Sequence, residues 1–157
     1  GLLRLPAPTR GESRGGRPGH RRRRILIVGH SAFERALLRR SFERSDCEVA
    51  EVDTGEAAVL EMACSGCVDA VLTTNALADG SGLALVRWVR AGHAHQCRDV
   101  PVLVLSGDDS DEFKVRAYDA GADMVVAKPI DLDVLHRKLL AISRSAARHE
   151  PARASGR

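Results

Sequence analysis

No apolar run in this 157-residue chain is long enough to cross a bilayer, so no transmembrane helix is expected. The leucines near the N-terminus are scattered among prolines and arginines without an h-region, which argues against a signal peptide. The sequence opens on Gly rather than Met, so a fragment or a processed chain is expected. A complete zinc signature is also lacking. Cys64-Ser65-Gly66-Cys67 has CxxC spacing, but no second CxxC and no spaced His pair accompanies it, and zinc needs about four ligands. A thioredoxin-like pair belongs at a helix start, whereas this motif closes a helix. The four cysteines, Cys47, Cys64, Cys67 and Cys97, are therefore read as buried or loop thiols in a reducing cytoplasm. His93-Ala94-His95 with Cys97 has metal-binding residue types, but it falls in a polar stretch where solvated side chains are expected. Aromatic residues make up 3% of the chain, and none interleaves its arginine-rich start. Base recognition by that segment is not expected, since no DNA-reading motif follows it. No internal repeat is visible.

What is present divides by charge. Residues 1–24 carry eight Arg and one Glu, and residues 144–157 carry four Arg and one Glu. With a net charge of +3 for the whole chain, the segment between them is acidic. Residues 1–23 and 146–157 hold too few apolar groups to fold and are expected to be disordered tails. The length suits one domain, placed at residues 24–145, with a core of ordinary size.

Within that domain two periods alternate. Ile25–Val28, Cys47–Val52, Ala70–Thr73, Val100–Leu105 and Met124–Ala127 read as strands. Ala32–Arg44, Ala57–Ala63, Gly82–Arg90, a segment ending near Ala120 and Asp131–Ser143 read as helices. Ser31 with Glu34, Asp53 with Glu56 and Asp109 with Glu112 have capping-box spacing. Five strand–helix units predict an α/β, doubly wound parallel sheet covered on both faces, with right-handed crossovers. The carboxyl ends of the strands would bring Gly29-His30, Asp53, Thr74, Ser106 and Lys128 to one rim, where ligands bind in such sheets.

The stretches "ILIVGHSAFER", "VDAVLTTNALADGSG", "PVLVLSGD" and "GADMVVAKP" resemble the receiver domain of two-component response regulators, the CheY-like family. The steps from Thr74 to Gly82 and from Gly121 to Lys128 match its spacing. The resemblance implies a flavodoxin-like (βα)5 three-layer sandwich with strand order 2-1-3-4-5, and a cytoplasmic phosphorelay signalling role. In that family two acids after the first strand hold Mg²⁺, an Asp after the third accepts a phosphoryl group, and a Ser or Thr and a Lys bind it. A Lys-Pro bond is usually cis, and an aromatic residue on the fifth strand often moves with the switch.

Here the acid pair falls on Gly29 and His30, the phosphoacceptor on Thr74 and the aromatic position on Val125; Ser106, Lys128 and Pro129 remain. Glycine has no side chain and imidazole suits other metals, so no Mg²⁺ or other cofactor is expected. Thr74 is a weak nucleophile that would need a base, and His30 is the candidate. The competing expectation is that Thr74 and Ser106 hydrogen-bond Lys128 and fill the pocket. Lys128 then needs Asp108, a carbonyl, water, an anion or solvent.

Three readings follow. The first is a pseudo-receiver, not an enzyme, that signals by protein–protein contact with a kinase, phosphotransferase or output protein. By the resemblance, its partner face would draw on Asp111, Lys114, Arg116, Tyr118, Val125 and Arg137. The second is a phosphorelay receiver working through Thr74. The third is a nucleic-acid-binding protein whose Arg-rich tail acts with the receiver as a regulatory module.

Overall fold

A computed structural model describes residues 22–66 and 68–149, side chains excepted at residue 95 and residues 144–149. The elements run β1 (Arg23–Val28), α1 (Ala32–Glu43), β2 (Cys47–Val52), α2 (Gly55–Ser65), β3 (Ala70–Thr74), β4 (Ala76–Leu77), β5 (Gly80–Ser81), α3 (Gly82–Arg90), β6 (Val102–Ser106), α4 (Asp111–Ala120), β7 (Met124–Ala127) and α5 (Leu132–His149). A parallel five-stranded sheet has the order β2-β1-β3-β6-β7. Counting its strands along the chain, this is the expected 2-1-3-4-5. The labels jump because β4 and β5 form a separate antiparallel hairpin, which was not anticipated.

Strand alternation sends successive side chains to opposite faces. Ile25, Ile27, Leu72, Leu103 and Leu105 pack with Leu38 and Phe42 of α1 and Leu135 and Leu139 of α5. Leu26, Val28, Val71, Val102 and Val104 pack with Ala58 and Met62 of α2, Leu83 and Val86 of α3, and Phe113 and Ala117 of α4. Both faces of the sheet are thus covered, which is why its strands read as apolar runs. Each fully buried aliphatic side chain contributes about 1.5–3 kcal/mol.

The sheet is also stitched at the amino-terminal ends of its strands. Asp69 sits one residue before β3, and its carboxylate accepts the Arg24 N–H at 2.7 Å. Asp123 sits one residue before β7 and accepts the Val102 N–H at 2.7 Å. The Arg90 guanidinium, at the end of α3, donates to the carbonyls of Gly121, Arg98 and Val100 and to Asp123.

Several boundaries differ from the sequence reading. Arg23 already pairs in β1 and α5 runs to His149, so the ordered unit exceeds residues 24–145 at both ends. The remaining tail residues, 1–21 and 150–157, lie outside the described residues. Arg22 pairs with Asp46, and Arg24 with Glu48 and Glu61, so part of the arginine run belongs to the fold. Thr54 caps α2 in place of Asp53, and Ser110 caps α4 in place of Asp109. An N-cap needs extended backbone and a side-chain oxygen that reaches the amide three residues on. Thr54 and Ser110 meet both conditions, accepting from Ala57 and Phe113.

Candidate functional site

Gly29 and Thr74 follow each other across the carboxyl ends of β1 and β3. A Cβ built on Gly29 would lie 3.3 Å from Thr74 Cγ2 and 3.5 Å from its Oγ1, so the two strand ends touch. Thr74 is 4% exposed, and its hydroxyl donates to the Ala76 carbonyl at 3.0 Å. His30 is exposed. Arg35 of α1 donates to the carbonyls of Gly29 at 2.6 Å and His30 at 3.2 Å, while its Nε lies 3.6 Å from Glu51 on β2. Ser106, also buried, accepts the Asp108 N–H at 3.0 Å. The Lys128–Pro129 peptide bond is cis, as expected.

The expected hydrogen bonds from Thr74 and Ser106 to Lys128 are not formed among the described residues; both hydroxyls serve the backbone of their own loops. Nor does Asp108 meet Lys128. Its carboxylate turns back to accept the Ser110 N–H at 2.9 Å, and hydrogen bonding to Ser110, first from its side chain and then from this N–H, holds the Asp108 pKa below the ordinary value. Lys128 Nζ instead lies 3.1 Å from Glu34 Oε2 of α1. The sequence reading missed this partner because capping-box spacing assigned the Glu34 side chain to Ser31. Only half of that box forms: the Glu34 N–H donates to Ser31 Oγ at 3.2 Å, while the carboxylate leaves for Lys128. The available signal was a lysine without a partner at a strand end. Sequence spacing alone does not bring residue 34 to residue 128.

The hairpin β4–β5 turns the chain back beside this rim. Asp79 at its tip accepts the N–H groups of Gly55 at 2.8 Å and Glu56 at 3.1 Å, at the start of α2. These bonds to Gly55 and then Glu56 lower its pKa from 3.8. A carboxyl depressed by folding stabilises above its unfolded pKa and loses that contribution as pH falls through the folded one. The amide shifts of Gly55 and Glu56 should therefore titrate together with a midpoint below 3.8. In Asp79→Asn both should stay flat over that range, and the acid limb of thermal stability should become shallower.

The residues read as a partner face divide. Asp111, Arg116 and Tyr118 are exposed on α4, with the Arg116 guanidinium 5.8 Å from the Phe113 ring centroid. Lys114 and Val125 are half-buried, Val125 resting on the core. Arg137 is exposed elsewhere: with Leu37, Arg40, Arg44, Leu132 and His136 it lines a groove of about 500 Å³ between α1 and α5. That groove lies on the side of α5 that faces α1. Val115, 58% exposed on α4, was not foreseen.

The three positions expected to carry the metal-binding and phosphoacceptor acids offer Mg²⁺ a glycine, an imidazole and a threonine hydroxyl, which do not match a hard octahedral oxygen shell. No group of three or more His, Cys, Asp or Glu that could hold a metal occurs among the described residues. The His93–Cys97 stretch is not a solvated loop throughout: Ala94 and Cys97 are buried, and His93 stacks on Trp88 with ring centroids 5.4 Å apart. Cys47 and Cys97 are buried free thiols and Cys64 is exposed; Cys67 lies outside the described residues. Burial pushes the Cys47 thiol pKa up. No described helix is long and apolar enough to cross a membrane.

Comparison with known proteins fits this geometry. The profile of the response regulator receiver domain matches residues 25–140. The KDP operon transcriptional regulatory protein KdpE of Escherichia coli is 33% identical over 128 residues, covering 81% of this chain and 54% of that protein. The response regulator MprA of Mycolicibacterium vanbaalenii is 33% identical over 121 residues, 77% of this chain and 50% of that one. The chain thus spans about half the length of these relatives. Among solved structures, the signal receiver domain of a signal transduction histidine kinase from Syntrophus aciditrophicus superposes with a TM-score of 0.72 at 25% identity, covering 82% of this chain and 95% of that one. The chemotaxis response regulator CheY4 of Vibrio cholerae does so with a TM-score of 0.72 at 21% identity, covering 78% and 99%.

Proposed function

Because the chain belongs to the response regulator receiver domain family, we propose that it is a two-component signalling domain that works without phosphorylation, through protein–protein contacts in the cytoplasm. One observation carries this reading. The three rim positions where the family places carboxylates hold Gly29, His30 and Thr74, and the Thr74 hydroxyl is buried and donates to Ala76. No negative charge is present there to attack a phosphoryl donor or to hold Mg²⁺. The alternative chemistry, a Thr74 nucleophile with His30 as base, gains no support. His30 is exposed and makes no hydrogen bond to Thr74 among the described residues. The pocket is therefore assigned no catalytic role and no cofactor. Signalling falls to surfaces, and the α4 face with Asp111, Lys114, Arg116 and Tyr118, flanked by Val125, is the first candidate for a kinase, phosphotransferase or output protein.

The test is incubation of the protein with acetyl phosphate and Mg²⁺, followed by intact mass measurement. No phosphoryl group should be added, and Mg²⁺ alone should leave the NMR signals of residues 29–30, 74–76 and 106–107 in place. An acid-stable phosphate on Thr74 would overturn the reading in favour of an unusual phosphorelay.

A further inference from the structure

We infer that Glu34 has taken over the counter-ion role that a strand-end carboxylate would play, so that Lys128 is latched to helix α1 rather than to strand β3. This deepens, and rests on, the reading of the pocket as silent toward phosphoryl donors.

A shielded ammonium needs an opposite charge or several acceptors. At this rim the Thr74 hydroxyl is turned to donate to the Ala76 carbonyl and Ser106 Oγ accepts the Asp108 N–H, and neither bonds Lys128 among the described residues. Asp108 is engaged with Ser110. Glu34 remains, at 3.1 Å, and the two side chains keep 22% and 34% of their exposure, so the pair is partly withdrawn from solvent. Its position is not free to drift. Ser31 caps the turn that carries it, and the adjacent Arg35 ties that turn to the carbonyls of Gly29 and His30 and to Glu51. The helix start also favours a carboxylate through its dipole.

The pair therefore joins the segment after β7 to α1 and, through Arg35, to β1 and β2. The mechanical link of Lys128 runs to a helix surface that a partner can reach.

Partner exchange tests this, using wild type, Glu34→Gln, Thr74→Asp and the double variant, with no phosphoryl donor present. Glu34→Gln should lower Tm by about 2–4 °C, a modest shift because the pair is partly exposed. Thr74→Asp alone should lower it further, because a second carboxylate then enters a buried position. Combined, the two should cost clearly less than their sum, since the introduced carboxylate re-pairs Lys128. Additive losses would overturn the inference. If the Thr74→Asp proteins do not fold, the side-chain ammonium NMR signal of Lys128 at low temperature decides. A protected signal in wild type that is lost in Glu34→Gln supports the latch, and identical behaviour in both refutes it. Phosphorylation of wild-type Thr74, read separately, would remove the silent pocket while leaving this coupling intact.

Discussion

Exposed to acetyl phosphate and Mg²⁺, the triple variant Gly29→Asp, His30→Asp, Thr74→Asp should acquire a phosphoryl group that Thr74→Asp alone takes up only weakly. The single change returns a nucleophile without the metal. The charge on the transferring group then stays uncompensated, and electrostatic stabilisation of this kind is usually the largest catalytic contribution. Two further carboxylates supply oxygen ligands of the type Mg²⁺ prefers. The geometry permits them. The tightest neighbour of a Cβ at position 29 is Thr74 Cγ2, and the change to Asp removes that methyl; the next neighbour outside Thr74, Arg35 Cγ, stands at an ordinary 3.6 Å. Ser106 and Lys128 are already at the rim. Glu34 competes for Lys128, so adding Glu34→Gln to the triple variant should raise the phosphorylated fraction again. Phosphopeptide mapping should place the group at position 74. A triple variant that folds but stays inert would show that the three carboxylates do not converge on one metal.

The largest structural effect is expected at Gly82. Its N–H donates to the Asn75 carbonyl at 2.8 Å, closing the excursion that contains the hairpin β4–β5. A Cβ there would stand 2.3 Å from the Thr74 carbonyl oxygen, 3.0 Å from Thr73 Oγ1 and 3.1 Å from the Thr74 carbonyl carbon. Two of those atoms are backbone of the central strand and cannot rotate away. Gly82→Ala must push α3 off β3 and disturb Leu83 and Val86 in the core. Overpacking of this sort costs typically about 1–3 kcal/mol, and the rigid obstacle places this case at the upper end. Chemical denaturation followed through Trp88 of α3 should show the loss. Gly29→Ala, with only a side-chain methyl at 3.3 Å, should be far milder. Equal costs for the two alanines would contradict this account of the close approach at Gly82.

The sheet was legible because its signal is redundant. Ile25–Val28 and Val102–Leu105 are apolar on both faces, and each strand repeats the same message to two layers of helices. Helix starts were less legible. Aspartate, threonine and serine all cap, and only the local backbone decides between Asp53 and Thr54 or between Asp109 and Ser110. At the rim, the contact of Gly29 with Thr74 followed from strand order, whereas the pairing of Glu34 with Lys128 did not. A strand end fixes where a backbone stops, but a long side chain then chooses among several partners within reach. The sequence assigned Glu34 to its own helix cap because that partner is local, and the observed one is 94 residues away. The hairpin was missed for a related reason. Its two-residue strands are too short to show a period, and Asp79 is recognisable as its anchor only once α2 lies beside it.

Asp69 and Asp123 give the molecule an inbuilt division of labour. Each stands one residue ahead of a strand and locks an amide at the start of the neighbouring strand, and Arg90 gathers the second of these locks to the end of α3. None of these bonds passes through Gly29, His30, Thr74, Ser106 or Lys128. The foundation of the sheet is laid at one end of its strands, and these rim residues stand at the other. A chain so arranged can exchange the side chains of its rim, carboxylate for glycine or threonine, while its foundation stays unaltered. Architecture and reactivity can then change independently.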